Sequence, residues 1–250
     1  MNKLLVIFKS IIGRKDVKIL FSFSLLPVIT PFLMGNQELE TLTFSDFTSS
    51  LFSFFAGAID TQYKLIIPTL IMGFIVCSVF REEIDSKVMF LYKDISRDTI
   101  YNLKITSLLM VYGLYLLISL ATSAIAYFGV IGPIWEVPTK VLPEIDGVFS
   151  SNLLSILSTV VLNIITILLI SSLSLRKGTL PSVLLGVLFT LCSILGEMLN
   201  WLSPIFPNGY VKSLGVLPFS TAACMIVLLS LIYSGVPYVL GMMTFRTIEY

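Results

Sequence analysis

Residue types that usually carry chemistry are sparse in this chain, and their spacing narrows what remains. The chain contains no histidine. That removes Ser-His-Asp and Cys-His hydrolysis, rhomboid-type intramembrane proteolysis, His-ligated zinc proteases and His-ligated haem. The three cysteines, Cys77, Cys192 and Cys224, lie far apart in apolar runs with no C-x-x-C pair. They read as small packing residues and not as metal ligands or a redox couple. No G-x-x-x-x-G-K-[ST] phosphate loop occurs, and Gly178 after Arg176-Lys177 is turn punctuation. Nothing in the sequence therefore holds ATP and magnesium. What remains is a small set of carboxylates and amides in conspicuous places: the adjacent pair Glu82-Glu83, Glu197 with Asn200 beside it, and Asn163.

The elements that position these groups follow from composition. Of 250 residues, 56% are hydrophobic and only 12% charged, and the mean hydropathy is +0.96. A typical soluble chain carries roughly 25% charge, so the sequence predicts an all-α integral membrane protein with a single transmembrane domain over 1–250. A bilayer core takes about 20 mostly apolar residues per helix, and six stretches qualify: 17–34, 64–81, 105–128, 151–175, 179–200 and 216–245. Pro218 and Pro237 predict a kink or a broken start in the last. Thirteen of the sixteen basic residues fall in the N-terminal segment up to Lys18, in 81–104, at Arg176-Lys177 and at Arg246, leaving Lys64, Lys140 and Lys212 for the other side. The positive-inside rule then predicts cytoplasmic termini and a cytoplasmic 81–104 segment.

Residues 2–15 place Leu4, Leu5, Phe8, Ile11 and Ile12 on one helical face, which predicts an amphipathic helix on the inner leaflet or an extension of the first span. No small-residue cleavage site precedes the first apolar stretch, so a cleaved leader is not expected. Residues 35–63 are acidic and external, and Phe44, Phe47, Leu51, Phe54 and Phe55 at near-helical spacing predict a short interfacial helix. The 129–150 segment, with Pro133, Pro138 and Pro143, reads as an ordered external loop.

Glu82-Glu83 opens the one strongly polar cytoplasmic stretch, and two readings compete for it. Adjacent glutamates at a helix end, followed by an arginine four residues after the second, occur in membrane-embedded prenyl-protein proteases. Here that position is Lys87, and the histidines such enzymes need are missing. The other reading is a coupling element. Val88, Phe90-Leu91 and Ile95 interrupt the charges and predict a short amphipathic helix at the membrane surface. The run Glu82-Glu83, Ser86-Lys87, Val88 to Tyr92, Ile95-Ser96-Arg97 and then Lys104 resembles the ATP-binding-cassette (ABC) type-2 exporter permeases. In that family an acidic end of span two is followed by a Gly-Thr-like pair, a hydrophobic helix, an Ile/Val-Ser-Arg step and a lysine opening span three. This chain departs from the pattern with Ser-Lys for Gly-Thr and with Asp94 where proline is common.

The resemblance implies an inner-leaflet helix, six spans and an external re-entrant stretch between spans five and six, a place taken by Ser203 to Gly209. It implies a permease subunit, not itself an enzyme, in the cytoplasmic membrane of a bacterium. Two copies, or this chain and a related permease, would join two ATPase chains that hold ATP and magnesium. Contact with the ATPase would fall on Glu82, Glu83, Ser86, Lys87, Met89, Leu91, Tyr92, Ser96 and Arg97. Without a soluble domain, recognition must occur among the spans or at membrane surfaces, which favours amphipathic or membrane-partitioned cargo. The chain is similar in this to permeases that export small toxin peptides of the phenol-soluble-modulin kind or confer bacteriocin immunity. A stand-alone secondary transporter or immunity protein is the competing expectation, although no internal repeat is evident.

Individual side chains also keep two readings each. Glu82 and Glu83 pair with basic residues of the ATPase or of residues 2–18, or they are solvated charges ending a helix. Glu197 meets a cationic substrate or closes an outer gate, or it sits at interface depth, wetted from outside. Asn163 is either an intramembrane functional amide or helix–helix glue.

Overall fold

A computed structural model describes residues 3–33, 49–86, 95–135, 139–144, 147–199, 201–215 and 217–247. The described residues are helical, with no strand among them. In chain order the helices are α1 (Lys3–Ile12), α2 (Lys15–Phe23), α3 (Leu26–Leu33), α4 (Leu51–Lys64), α5 (Ile67–Cys77), α6 (Arg97–Ala126), α7 (Val148–Ser174), α8 (Thr179–Met198) and α9 (Phe219–Thr247). α5 runs on through a π-helical turn, Ser78–Glu82, to Asp85, and α6 runs on through a second, Tyr127–Ile131. Two 3₁₀ segments, Ser203–Ile205 and Pro207–Gly215, connect α8 to α9.

Four of these helices (α6, α7, α8 and α9) are long and apolar enough to cross a membrane, five spans in all if the bent pair α4–α5 is one span. That is the pattern of a multi-pass membrane protein. The six expected spans differ from this count at the first and second stretches, and prolines account for both. Pro27 cannot continue α2, because its ring would meet the carbonyl four residues back and it has no N–H to donate. The chain therefore breaks at Ser24-Leu25 into helices of nine and eight residues. The carbonyls this frees are paired elsewhere: Gln62 Nε2 lies 3.5 Å from Phe23 O, and Thr122 Oγ1 donates to Ser24 O at 2.5 Å.

Pro68 imposes the second break. α4 and α5 meet at 66° across Leu65-Ile66, and Ile66 adopts φ 62°, a left-handed conformation costly for a β-branched residue. The interfacial helix expected within 35–63 is thus α4, which starts at Leu51; Phe44 and Phe47 lie outside the described residues. α4 is not a surface helix. Phe54 packs on Tyr127 and Ala126, and Gln62 and Tyr63 are buried. The 139–144 segment caps it, as the Leu51 and Phe52 N–H groups donate to Lys140 and Val141 carbonyls at 2.8 and 3.1 Å. α9 starts just after Pro218 and passes through Pro237 without a break.

The core joins α1 and α2 to α5, α6 and α7. α1 packs against α6 and does not stand apart from the bundle. Small residues allow close crossings: a Cβ at Gly186 would lie 2.4 Å from Ile170 Cδ1, and one at Gly241 would lie 2.2 Å from the Tyr101 hydroxyl. Leu184, Leu188, Leu191 and Leu195 of α8 and Leu228, Leu231 and Ile232 of α9 stay exposed, as apolar side chains facing hydrocarbon do.

Candidate functional site

The polar residues gather at the two ends of the bundle, and each end is organised by one glutamate holding two cations. At the first end, the π turn Ser78–Glu82 widens the helix just before Glu83. Lys104 of α6 enters this turn, donating to the Val79 carbonyl at 2.8 Å and pairing with Glu83 Oε2 at 2.8 Å. Its ammonium also lies 5.4 Å from the centre of the Phe80 ring. Arg14, at the elbow between α1 and α2, donates to Ser78 Oγ at 2.5 Å and pairs with Glu83 Oε1 at 3.0 Å. One carboxylate therefore joins three separate elements. The lysine side chain is only 2% exposed, and a buried ammonium is tolerable only when paired in this way.

Aromatic packing extends the junction to the last helix. Phe80, Tyr101 and Phe245 form a cluster with ring centres 5.6, 5.7 and 6.3 Å apart. Beside it Arg246 pairs with Asp98 through both carboxylate oxygens at 2.6 Å, Arg97 donates to the Arg246 carbonyl, and Tyr238 donates to Asn102 at 2.7 Å. The described chain ends nearby at Ser86 and resumes at Ile95.

The residues expected to contact an ATPase divide accordingly. Glu83 is held inward by Arg14 and Lys104. Glu82 and Ser86 are exposed, and Ser96 lies within hydrogen-bond distance of Thr99, 2.6 Å between the hydroxyls. Arg97 is turned toward the end of α9. Lys87, Met89, Leu91, Tyr92 and Asn200 lie outside the described residues. Lys104 stood in the sequence only as the residue opening span three. The signal that marks it as more is its position within an apolar helix, seven residues after Arg97 on nearly the same face.

At the other end Glu197, near the end of α8, meets Lys64 Nζ at 3.6 Å and Lys212 Nζ at 3.7 Å. Lys212 also donates to the Glu197 carbonyl at 3.1 Å, and Lys64 pairs with Asp60 at 2.7 Å. Asn208 donates to the Ser193 carbonyl at 2.9 Å and lies 3.5 Å from Glu197 Oε2. Below this network the Tyr63 and Ser193 hydroxyls are 2.5 Å apart. Glu197 is thus a carboxylate already neutralised by two lysines, and it ties the α4–α5 bend to α8 and to the 203–215 segment. Gly196 makes the fit possible, since a Cβ there would lie 2.5 Å from the Phe206 ring.

Asn163 lies apart from both clusters, in the middle of α7, where its amide donates to the Thr159 carbonyl at 3.0 Å. The described residues contain no group of histidine, cysteine, aspartate and glutamate side chains able to hold a metal ion. Comparison with protein families, with curated proteins and with solved structures finds no match to this chain.

Proposed function

We propose that the chain is the permease subunit of an ABC exporter, moved by separate ATPase chains that hold ATP and magnesium. The observation that carries this reading is the Glu83 junction. The segment at 86–95, which resembles the ATPase-contacting part of type-2 permeases, emerges from a helix whose last turns are ion-paired to the α1–α2 elbow and to α6. A push on that segment would be delivered to three elements together. Charge pairs that rigidify such a joint are what a coupling element needs, whereas a loop without such ties would absorb the motion.

The α2–α3 pair serves in this reading as a kinked first span. Arg14 at its start is level with Glu83, while Ser24 meets Thr122 and Val28 packs with Phe54 and Tyr127 near the far end of α6. With α4–α5 as a broken second span, the total is six and both termini lie in the cytoplasm, the side of most lysines and arginines. The 203–215 segment, seated on Phe189 and Ser193, is the external re-entrant stretch, and the Glu197 network latches it as an outer gate. The exposed faces of α8 and α9 are where a second permease copy and lipid would lie. Cargo is amphipathic or membrane-partitioned, such as small toxin peptides, taken from the bacterial cytoplasmic membrane or the cell.

The test is co-expression with the ATPase encoded beside this chain, purification and measurement of ATP hydrolysis in vesicles. The chain alone should hydrolyse no ATP, the complex should copurify, and cargo peptide should stimulate it. Leu91→Asp should abolish that stimulation while leaving the spans folded. Full export or immunity in cells lacking any partner ATPase would instead assign a stand-alone transporter or immunity protein.

A further inference from the structure

We propose that the cavity beside the α4–α5 bend is a binding site for one ordered water molecule, bridging the Tyr112 hydroxyl to Asn163. The cavity measures about 20 Å³, and a water needs roughly 10–15 Å³ by the same measure. Tyr112 lines it and is 6% exposed, yet its hydroxyl makes no hydrogen bond within the protein. Asn163 lines the same cavity and spends one amide hydrogen on the Thr159 carbonyl, leaving its amide a second donor and an acceptor. A smaller cavity of about 10 Å³ continues from the first past Thr69, Met72 and Asn163.

Two polar neighbours are already committed. Gln62 Oε1 accepts from Tyr115 and Ser119, and the Tyr63 hydroxyl is bonded to Ser193. No charged residue lines either cavity among the described residues, so an ion would enter without compensation. A neutral molecule that both donates and accepts, no larger than water, is the ligand that fits.

Hydroxyl-radical footprinting of the full chain in lipid nanodiscs tests the assignment, with Met72 as the reporter. Radicals formed from a bound water oxidise the thioether beside it even though that side chain is buried. Met72 should be oxidised in the wild type and severalfold less in Tyr112→Phe, with exposed Met243 unchanged. Asn163→Leu should give the same loss and carries the test should Tyr112→Phe misfold. The thermal midpoint of Tyr112→Phe should fall. Protection of Met72 in the wild type, equal oxidation in the variants, or a midpoint that rises when the hydroxyl is removed would each overturn the assignment.

Discussion

Glu83 holds Lys104 at 2.8 Å where the lysine side chain is 2% exposed, whereas Glu197 meets Lys64 and Lys212 at 3.6 and 3.7 Å with lysine side chains 41% and 60% exposed. Equal charge and equal numbers of partners therefore carry unequal weight. Replacing Glu83 with Gln leaves a buried ammonium without its counter-ion, which costs about 3 kcal/mol, the low end for stranding a buried charge, since the glutamate itself is partly wetted. The double variant Glu83→Gln/Lys104→Met should recover most of that loss. Glu197→Gln should cost under about 1 kcal/mol, because long, hydrated pairs contribute little. Thermal unfolding of the detergent-purified variants ranks the three. A Glu197→Gln loss as large as that of Glu83→Gln would contradict the contrast in burial.

At the scale of the elements, Pro27 and Pro68 decide where helices stop, and the freed backbone groups decide what packs there. Thr122→Val removes the donor to Ser24 O and should destabilise the protein by about 1 kcal/mol. In a Pro27→Ala background, where α2 and α3 can fuse and bond those carbonyls within one helix, the same substitution should cost almost nothing. A double-mutant cycle reads the difference, and additivity would mean that the kink is not the cause. Gly196→Val should expel Phe206 and unseat the 203–215 segment, seen as faster labelling of a cysteine placed at Asn208.

The same elements show what sequence reasoning reaches. Pro27 and Pro31 both lie within 17–34, yet hydropathy averages over a break and reads that stretch as one span. Gln62 falls within 35–63, a segment whose acidic residues read as external. It is buried because its carbonyl oxygen is met by Tyr115 and Ser119, contacts that span more than fifty positions and leave no local trace. The boundaries of α7 to α9 fall within three residues of the apolar stretches, whereas α6 starts at Arg97, eight residues before its stretch at 105–128, because its first two turns are polar. Glu197 and Asn163 stood out as costly residues, but which lysines answered Glu197 depended on tertiary packing.

For the whole molecule, orientation is the property that charge alone predicts and that a topology experiment checks. Cysteines placed at Lys9 and Lys177 should react with a membrane-impermeant reagent only after cells are opened, and those at Lys140 and Lys212 in intact cells. Native Cys77, Cys192 and Cys224 would first be replaced by serine or alanine. Lys9 reacting in intact cells while Lys177 stays protected would leave an odd number of crossings, with α2–α3 failing to span.

The two glutamate junctions also differ in when they can close. Glu83 and both of its partners have left the ribosome soon after residue 104 is made. Lys64 pairs with Asp60 at once but must wait for Glu197 and Lys212, a delay on the order of ten seconds at ordinary elongation rates. The bend between α4 and α5 is therefore inserted with Lys64 only half compensated. Biogenesis of this chain is ordered from the Glu83 end outward, and the Glu197 end is finished only when the final loop arrives.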